Sequence, residues 1–567
     1  MTITHYIYNN TESDTENLSN GIHLPLFCLV HSANTTLSLS FCKTKKKYRE
    51  KRRPTMAGEE PLSETQGVAL TEHVRINGVE YEATLEANGD LRWRSAEVIA
   101  GEKRLSLDKE VLGIELRGTI LIVRSFVEEI KEASCLGTGK REVRRVRRDY
   151  VFELETEEQG MIWGERLSAC IGSLGRPKRL FIIVNPFGGK QCGRKIFANE
   201  VKPLLDAANI LYTMQETNFQ LHAQEIAGSL DFRKFDGIVC VSGDGVLVEV
   251  VNGLLQREDW NKAIKVPLGI IPAGSGNGMA KSLLDSGGEP CSISNAVFSV
   301  IRGNRRALDV ASVVQGETKF FSVLMLTWGL IADIDIESEK YRWMGSARFD
   351  FYSLLRIMNL RKYNGNAQFV PAPGYESVGV PLTQVEKSNQ YNDPNLSSER
   401  KTGNDKTLQS KGYQGPSVSY EESHWRSIEG PFVYVWLNNV PWCSQDVMPA
   451  PEAKFSDGYL DAVIVRDCPR SVLLSLMLKM GDGTYVNSPY VTYLKVKAFE
   501  LVPGQRVGNP KKGGIVDVDG EVIARGDENF SLHNGDVKQK QKQYLMSYGP
   551  SIQIAVDQGL ATIFSPR

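Results

Sequence analysis

Asp244 lies between two glycines in FDGIVCVSGDGVLVEVVNGLLQRED, a setting that offers its carboxylate two uses. The branched apolar run Ile238 to Val241 before it reads as a buried strand, and Leu247, Val250, Val251 and Leu254 after it share one face of a helix. At such a junction the carboxylate can take the proton of an attacking hydroxyl or cap the helix, and taken alone the cap is the simpler account. Glu249, one turn into the helix, faces the same edge, where it can orient a ribose hydroxyl or a metal-bound water.

The same construction occurs twice more. In RLFIIVNPFGGKQCGRKIF the strand Leu180 to Val184 runs into Pro186 and Gly188-Gly189, and a helix from about Gly193 points its free N–H groups back at the loop. Lys190 adds positive charge there. In VPLGIIPAGSGNGMAKSLL the strand Val266 to Ile271 is followed by the loop Pro272 to Asn277 and a helix from Gly278. The first loop lacks the G-x-x-x-x-G-K-[ST] spacing of a Walker-type cradle. Each loop alone is weak evidence. Three such junctions within about a hundred residues put three phosphate-compatible loops on one carboxyl edge of a parallel sheet, where open α/β folds bind nucleotides.

The rest of the chain must position these loops. Its 567 residues exceed what one hydrophobic core usually supports, so two or three domains are expected. Lys and Arg number 67 against 68 Asp and Glu, a net charge of −1 that gives no global field for holding nucleic acid. The nine cysteines include no C-x-x-C pair, which points to reduced intracellular thiols without a disulfide framework or zinc knuckle. No stretch is apolar for the roughly 18 residues a membrane span needs, and the weakly apolar run Gly21 to Cys42 makes a poor secretory signal.

Residues 1–65 read as a disordered tail containing the basic run Lys43 to Arg53, with Met56 a candidate second initiator. Residues 66–176 form a small β-rich module. It has turn signals at Asn77-Gly78 and Asn88-Gly89-Asp90, and a closing helix that carries Ile162, Trp163, Leu167 and Cys170 on one face. Such a pattern is compatible with a pleckstrin-homology-like domain among other small β folds. The stretch Lys140 to Arg148 reads as a basic linker, solvated or touching anionic head groups. The polar stretch 371–424 reads as a disordered insertion.

In order, the motifs IVNPFGGK, SGDG with VVNGL, PAGSGN and DVDGE resemble the catalytic domain shared by diacylglycerol, ceramide and sphingosine kinases, over roughly Arg179 to Glu528. Within that group WGLIADIDIESEKYRWMGSARF is similar to the sphingosine kinases, and GPFVYVWLNNVPWCSQDVMPAPEAKFSDGYLDAVIVRDC to their plant members. The resemblance implies an α/β nucleotide-binding domain at 177–308 and an all-β sandwich for lipid at 309–535. The segment 536–567 is a candidate last strand of that sandwich. It also implies ATP with Mg2+, a sphingoid base as acceptor, and the alternative of a ceramide or diacylglycerol kinase. A catalytically silent lipid-binding adaptor is the rival of another class.

Carried over motif by motif, Asn185, Pro186, Phe187, Thr217, Glu249, Gly274, Ser275 and Gly276 would contact ATP. Arg342 and Arg348 would neutralise phosphate charge, and Asp519, Gly520 and Glu521 would return to the nucleotide from the far end of the chain. Ser242, Gly243, Asp244 and Gly245 would lie where ATP meets lipid, with Asp244 the acid/base and Asp335 holding the lipid's ammonium. Phe187 departs from the small or basic residue many relatives carry, so only its backbone contact transfers. Metal ligands are unassigned; Asp517, Asp519 and Glu521 could reach magnesium through water, and Asp457 and Asp461 are metal or structural carboxylates.

Two expectations concern shape. The run from Ile331 to Glu337 alternates like a strand, with Asp333, Asp335 and Glu337 on one face. The helical stripes Met344, Ala347, Phe351, Leu354, Leu355, Met358 and Val472, Leu473, Leu476, Met477, Met480 read as core more readily than as lipid pocket. A cytoplasmic protein in peripheral contact with an endomembrane, such as the vacuolar membrane, is expected.

Overall fold

The computed structural model describes residues 69–95, 101–131, 142–189, 191–382, 412–416, 421–526 and 544–566. The tail 1–65, Met56, Lys190 and residues 383–411 and 417–420 of the polar stretch lie outside them.

The module is a seven-stranded antiparallel sheet built from β1 (Leu70–Ile76), β2 (Val79–Leu85), β3 (Asp90–Ser95), β4 (Lys103–Ser106), β5 (Val111–Arg117), β6 (Ile120–Lys131) and β7 (Glu142–Glu153), ordered β4-β3-β2-β1-β7-β6-β5. Asn77 and Gly78 both take positive φ, 54° and 79°, the turn geometry that matches the twist of a two-residue hairpin. Alternate residues Val74, Ala83, Leu85, Leu91, Trp93 and Phe152 face inward against Trp163 and Leu167 of helix Glu157–Ser173. Thr156 and Gln159 start that helix as a capping box. Ile162, expected on the inner face, is 49% exposed. Residues 142–148 of the supposed basic linker belong instead to strand β7. Its arginines are engaged across and along the sheet, Arg145 with Glu128, Arg148 with Glu129 and Arg147 with Asp149. The module is seated on the α/β part: Asn209 donates to the Ile114 carbonyl at 3.2 Å, and Phe126 meets Phe298 edge-on.

The α/β part carries parallel strands β8 (Arg179–Val184), β9 (Leu211–Glu216), β10 (Gly237–Ser242) and β11 (Leu268–Pro272) in the order β9-β8-β10-β11. The three central ones are almost wholly buried, which is why they read as continuous apolar runs. Beyond β11 the sheet passes into antiparallel strands: β12 (Arg305–Gln315), β13 (Thr318–Ser322), β14 (Met325–Gly329), β15 (Tyr363–Pro371), β16 (Val380–Pro381), β17 (Arg426–Glu429), β18 (Tyr434–Asn438), β19 (Leu460–Val465), β20 (Thr492–Arg506), β21 (Ile515–Val518), β22 (Glu521–Arg525) and β23 (Ile552–Phe564). The join is β23, which lies antiparallel to β12 and β20 and meets Leu268 of β11 at Ile563.

Trp328, Phe369, Val435, Leu437, Phe499, Val516 and Val518 fill the sandwich interior. The polar stretch 371–424 is not uniformly unstructured. β16 pairs with β17, and Tyr413 packs on Trp260 and Phe321 while its N–H donates to the Leu255 carbonyl. One large aromatic was enough to dock a segment whose average composition is polar.

Candidate active site

The three glycine loops touch. A Cβ on Gly274 would come within 2.3 Å of the Gly243 Cα, and one on Gly189 within 2.8 Å of the Ala273 carbonyl oxygen. Only glycine lets the backbones stack this closely, so the loops after β8, β10 and β11 form one continuous floor. Asn277, in the left-handed region at φ 61°, accepts from the Gly274 N–H at 2.8 Å and donates to its carbonyl at 3.0 Å, closing the third loop on itself. Asn185 shapes the first by accepting from the Phe187 N–H at 2.9 Å; the Phe187 ring is 56% exposed. Ser275 and Gly276 are partly open, and Thr217 is buried at the neighbouring turn with its N–H on the Val184 carbonyl.

Asp244 opens helix Asp244–Leu255 but does not cap it. Its two carboxylate oxygens accept instead from the N–H groups of Gly278 and Met279, at 2.9 and 3.0 Å, capping helix Gly278–Ser286 of the next loop. Burial pushes the Asp244 carboxyl above its usual range, opposed by those backbone donors. Gly276 leaves the side of Oδ2 uncovered by any side chain of its own. Helix Gly278–Ser286 is in turn fixed to the sandwich: the Trp442 N–H donates to Ser282 at 3.0 Å and its ring nitrogen to Asp285 at 3.1 Å. Glu249 likewise acts across loops, accepting from the Ala223 N–H at 3.0 Å at the start of helix His222–Ser229. It therefore holds the loop that carries Thr217.

The run from Ile331 to Glu337, expected as a strand, is part of helix Leu330–Glu337. Gly329, at φ 87° and pressed on the Val433 carbonyl, makes the abrupt turn from β14 into that helix. Helical spacing then separates the three acids. Asp333 and Glu337 share the face that meets Arg361, with Asp333 also accepting from the Tyr363 hydroxyl at 2.8 Å. Burial lifts the Asp333 carboxyl to about 6. Asp335 faces the other way, hydrogen-bonded to Asp517 of β21 and within the field of Arg348. Cys443 lies within the field of both acids of interest: burial, then Asp335 and Asp244, push its thiol up. No motif in NNVPWCSQ marked Cys443 beforehand.

Arg342 and Arg348 converge on Glu339, Arg348 buried at 2.5 Å and Arg342 largely exposed at 3.4 Å. Sequence reasoning passed over Glu339. Its place one helical turn past Asp335 was the available signal.

The DVDGE motif divides. Asp519 and Gly520, at φ 54° and 87°, form the tight turn between β21 and β22. The Asp519 side chain, expected at the nucleotide, is taken up by the fold. It is fully engaged by the Ser322 hydroxyl and the N–H groups of Val323, Leu324 and Met325 at 2.6 to 3.1 Å, and burial still lifts it to about 6. The carboxylate is too well solvated by the chain to serve a ligand. Glu521 accepts from Gln220 at 2.8 Å, which ties β22 to the chain just after the Thr217 turn. Asp519→Asn, which tolerates the positive φ but cannot accept from all four donors, should lower stability by about 2–4 kcal/mol in urea unfolding while leaving the KM for ATP unchanged.

The same carboxylates are the candidate metal donors. Asp519 is saturated, Asp517 is turned to Asp335, and Asp457 and Asp461 are both held by Lys495 at 3.1 and 2.7 Å. Among the described residues no cluster of three or more acidic, His or Cys side chains is arranged for a metal ion.

Of the two apolar stripes one is core: Leu473, Leu476 and Met480 are buried. The other, expected as core, is surface. In helix Ala347–Met358 the residues Phe351, Leu354 and Met358 are 41%, 48% and 62% exposed.

Residues 179–313 match the family model for the diacylglycerol kinase catalytic domain, and residues 420–538 that for the YegS C-terminal NAD kinase beta sandwich-like domain. The chain is 53% identical over 499 residues to sphingosine kinase 1 of Arabidopsis thaliana, covering 88% of this chain and 96% of that protein. Sphingosine kinase 2 of the same plant is 52% identical over 498 residues, covering 88% and 97%. Human sphingosine kinase 1 is 34% identical over 366 residues, covering 62% of this chain and 88% of the human one.

Proposed function

The chain belongs to the sphingosine kinase family, and from that premise we propose that it transfers the γ-phosphoryl group of ATP to the primary hydroxyl of a sphingoid long-chain base. The observation that carries this reading is the floor of stacked glycine loops with the Asp244 carboxylate held beside it and left uncovered by Gly276. The glycine floor offers backbone N–H groups and no bulk to the phosphates. Arg342 and Arg348 supply the charge that phosphoryl transfer needs, since that reaction depends on positioning and charge neutralisation more than on covalent help. In the step itself the acceptor hydroxyl gives its proton to Asp244 as its oxygen bonds to the γ-phosphorus. The bond from that phosphorus to the β,γ-bridging oxygen breaks, ADP departs, and Asp244 returns the proton to solvent. ATP enters as its magnesium complex. Asp335 would receive the substrate's ammonium, which separates a sphingoid base from ceramide or diacylglycerol.

The test is phosphate transfer from labelled ATP to sphingosine, phytosphingosine, ceramide and diacylglycerol side by side. Label in both free bases and in neither neutral lipid is expected, and equal label in ceramide would overturn the choice of substrate.

We also propose peripheral contact with a membrane through one apolar face. Trp343 is 81% exposed, and with Phe351, Leu354, Met358 and the outer residues Leu474 and Leu478 of helix Arg470–Leu478 it leaves two adjoining helices apolar towards solvent. Among the described residues no helix is long and apolar enough to cross a bilayer. Trp343→Ser with Leu478→Ser should reduce co-sedimentation with phosphatidylcholine vesicles about tenfold and spare turnover on detergent-dispersed sphingosine; unchanged sedimentation would remove this face from the account.

A further inference from the structure

We propose that Asp517 is a second residue of the amine site: as a neutral acid it donates a hydrogen bond to Asp335 and so holds the Asp335 carboxylate turned towards the ammonium of the substrate. The proposal rests on the reading of Asp335 given above and adds a residue to it.

Asp517 sits in the middle of β21, a strand paired on both sides, with Thr327 of β14 opposite it in one direction and Val522 of β22 in the other. Strand alternation sends Val516 and Val518 into the sandwich interior, which leaves Asp517 on the reverse face, where helix Leu330–Glu337 packs. The residue is wholly buried. Its Oδ2 accepts from the Thr327 hydroxyl at 3.2 Å, and its Oδ1, equally enclosed, has no donor among the described residues. An ionised carboxylate so enclosed would keep one neutral donor for two oxygens, whereas a protonated one needs only an acceptor. The acceptor is at hand, because the Asp335 carboxyl is its hydrogen-bond partner.

Two carboxyl groups in hydrogen-bond contact share a proton rather than ionise together. The surroundings decide which keeps it. Burial acts most strongly on Asp517, and both Asp335 and Asp519 add like charge beside it. Asp335 is only partly buried, and has Arg348 favouring its charged form, with Glu339 opposing. The proton therefore belongs on Asp517 and the charge on Asp335. The pair then offers one negative charge to one ammonium, oriented from behind by a rigid strand. Asp517 touches no substrate in this account, so it is a positioning residue.

Asparagine reproduces a neutral acid at this place, since its amide can donate to Asp335 and its carbonyl can accept from Thr327. The full-length protein carrying Asp517→Asn should keep kcat/KM for sphingosine within about threefold of the parent. Asp517→Ala should lose about tenfold, mostly in the KM for sphingosine, with the KM for ATP unmoved. Asp517→Val, nearer in volume, takes the place of the alanine variant if that one does not fold as judged by its urea midpoint. Asparagine as damaging as alanine or valine would mean that Asp517 acts as an anion, and parental kinetics in all the variants would mean that it has no part in the site; either result overturns the proposal. Asp335→Asn, run alongside, separates the two layers. If that variant keeps parental sphingosine kinetics, the amine assignment itself is wrong. If it is impaired while every Asp517 variant is parental, only the present inference falls.

Discussion

Asp244→Asn should turn over sphingosine about 10²- to 10⁴-fold more slowly than the parent, the usual cost of removing a general base, with ATP binding intact. The structure sharpens this test because the same carboxylate caps helix Gly278–Ser286. Asparagine can keep one of those two backbone bonds through its carbonyl oxygen, so a purely capping role would appear as a loss of stability of about 1 kcal/mol with turnover largely preserved. Rate and urea midpoint measured on one preparation tell the two apart. A pH profile gives a second handle. A base must be ionised to act, and burial raises this carboxyl, so kcat should fall on acidification at a pH above the ordinary carboxylate value of about 4. That acid limb should vanish from the residual activity of the asparagine variant. Wild-type turnover with a normal acid limb would remove Asp244 from the chemistry.

Asp335→Asn should lower kcat/KM for sphingosine by about ten- to a hundredfold, equivalent to the roughly 1.5–3 kcal/mol of a charge-assisted hydrogen bond, with little change in the KM for ATP. It keeps the volume and a hydrogen bond towards Asp517 while deleting the charge. Preference for sphingosine over an uncharged N-acyl analogue should collapse in the same variant. Should that preference survive undiminished, the ammonium is recognised elsewhere, and the one negative charge shared by Asp335 and Asp517 serves the fold.

The two experiments probe acids that the chain presents very differently. Asp244 was legible because its glycines, the strand before it and the helix after it are all within a few residues, so local rules apply. Asp335 was legible only by resemblance, and the local rule misled. The alternation of Ile331, Asp333, Asp335 and Glu337 suits a strand, yet Gly329 turns the chain sharply off β14, and the segment gains more as a helix packed over β18 and β21. Tertiary packing overrides a two-residue period when the segment is this short.

What the sequence determined by itself was the set of strand-to-helix junctions, their order, the tight turn at Asn77-Gly78, and the glycines at Gly189, Gly243 and Gly274, because each depends on backbone freedom or on apolar periods that a short window contains. What only the tertiary structure decided was partnership. The carboxylate of one loop caps the helix of the next, Asp519 is consumed by the turn after β13, Arg342 and Arg348 meet on Glu339, and Asp335 meets Asp517 from 182 positions further along the chain, 517 − 335. It also decided that the stripe of helix Ala347–Met358 stays on the surface, since amphipathic spacing specifies that a face is apolar and says nothing about what, if anything, will cover it. A charge or an apolar stripe takes its role from the groups brought against it, and those come from strands and helices far apart in sequence.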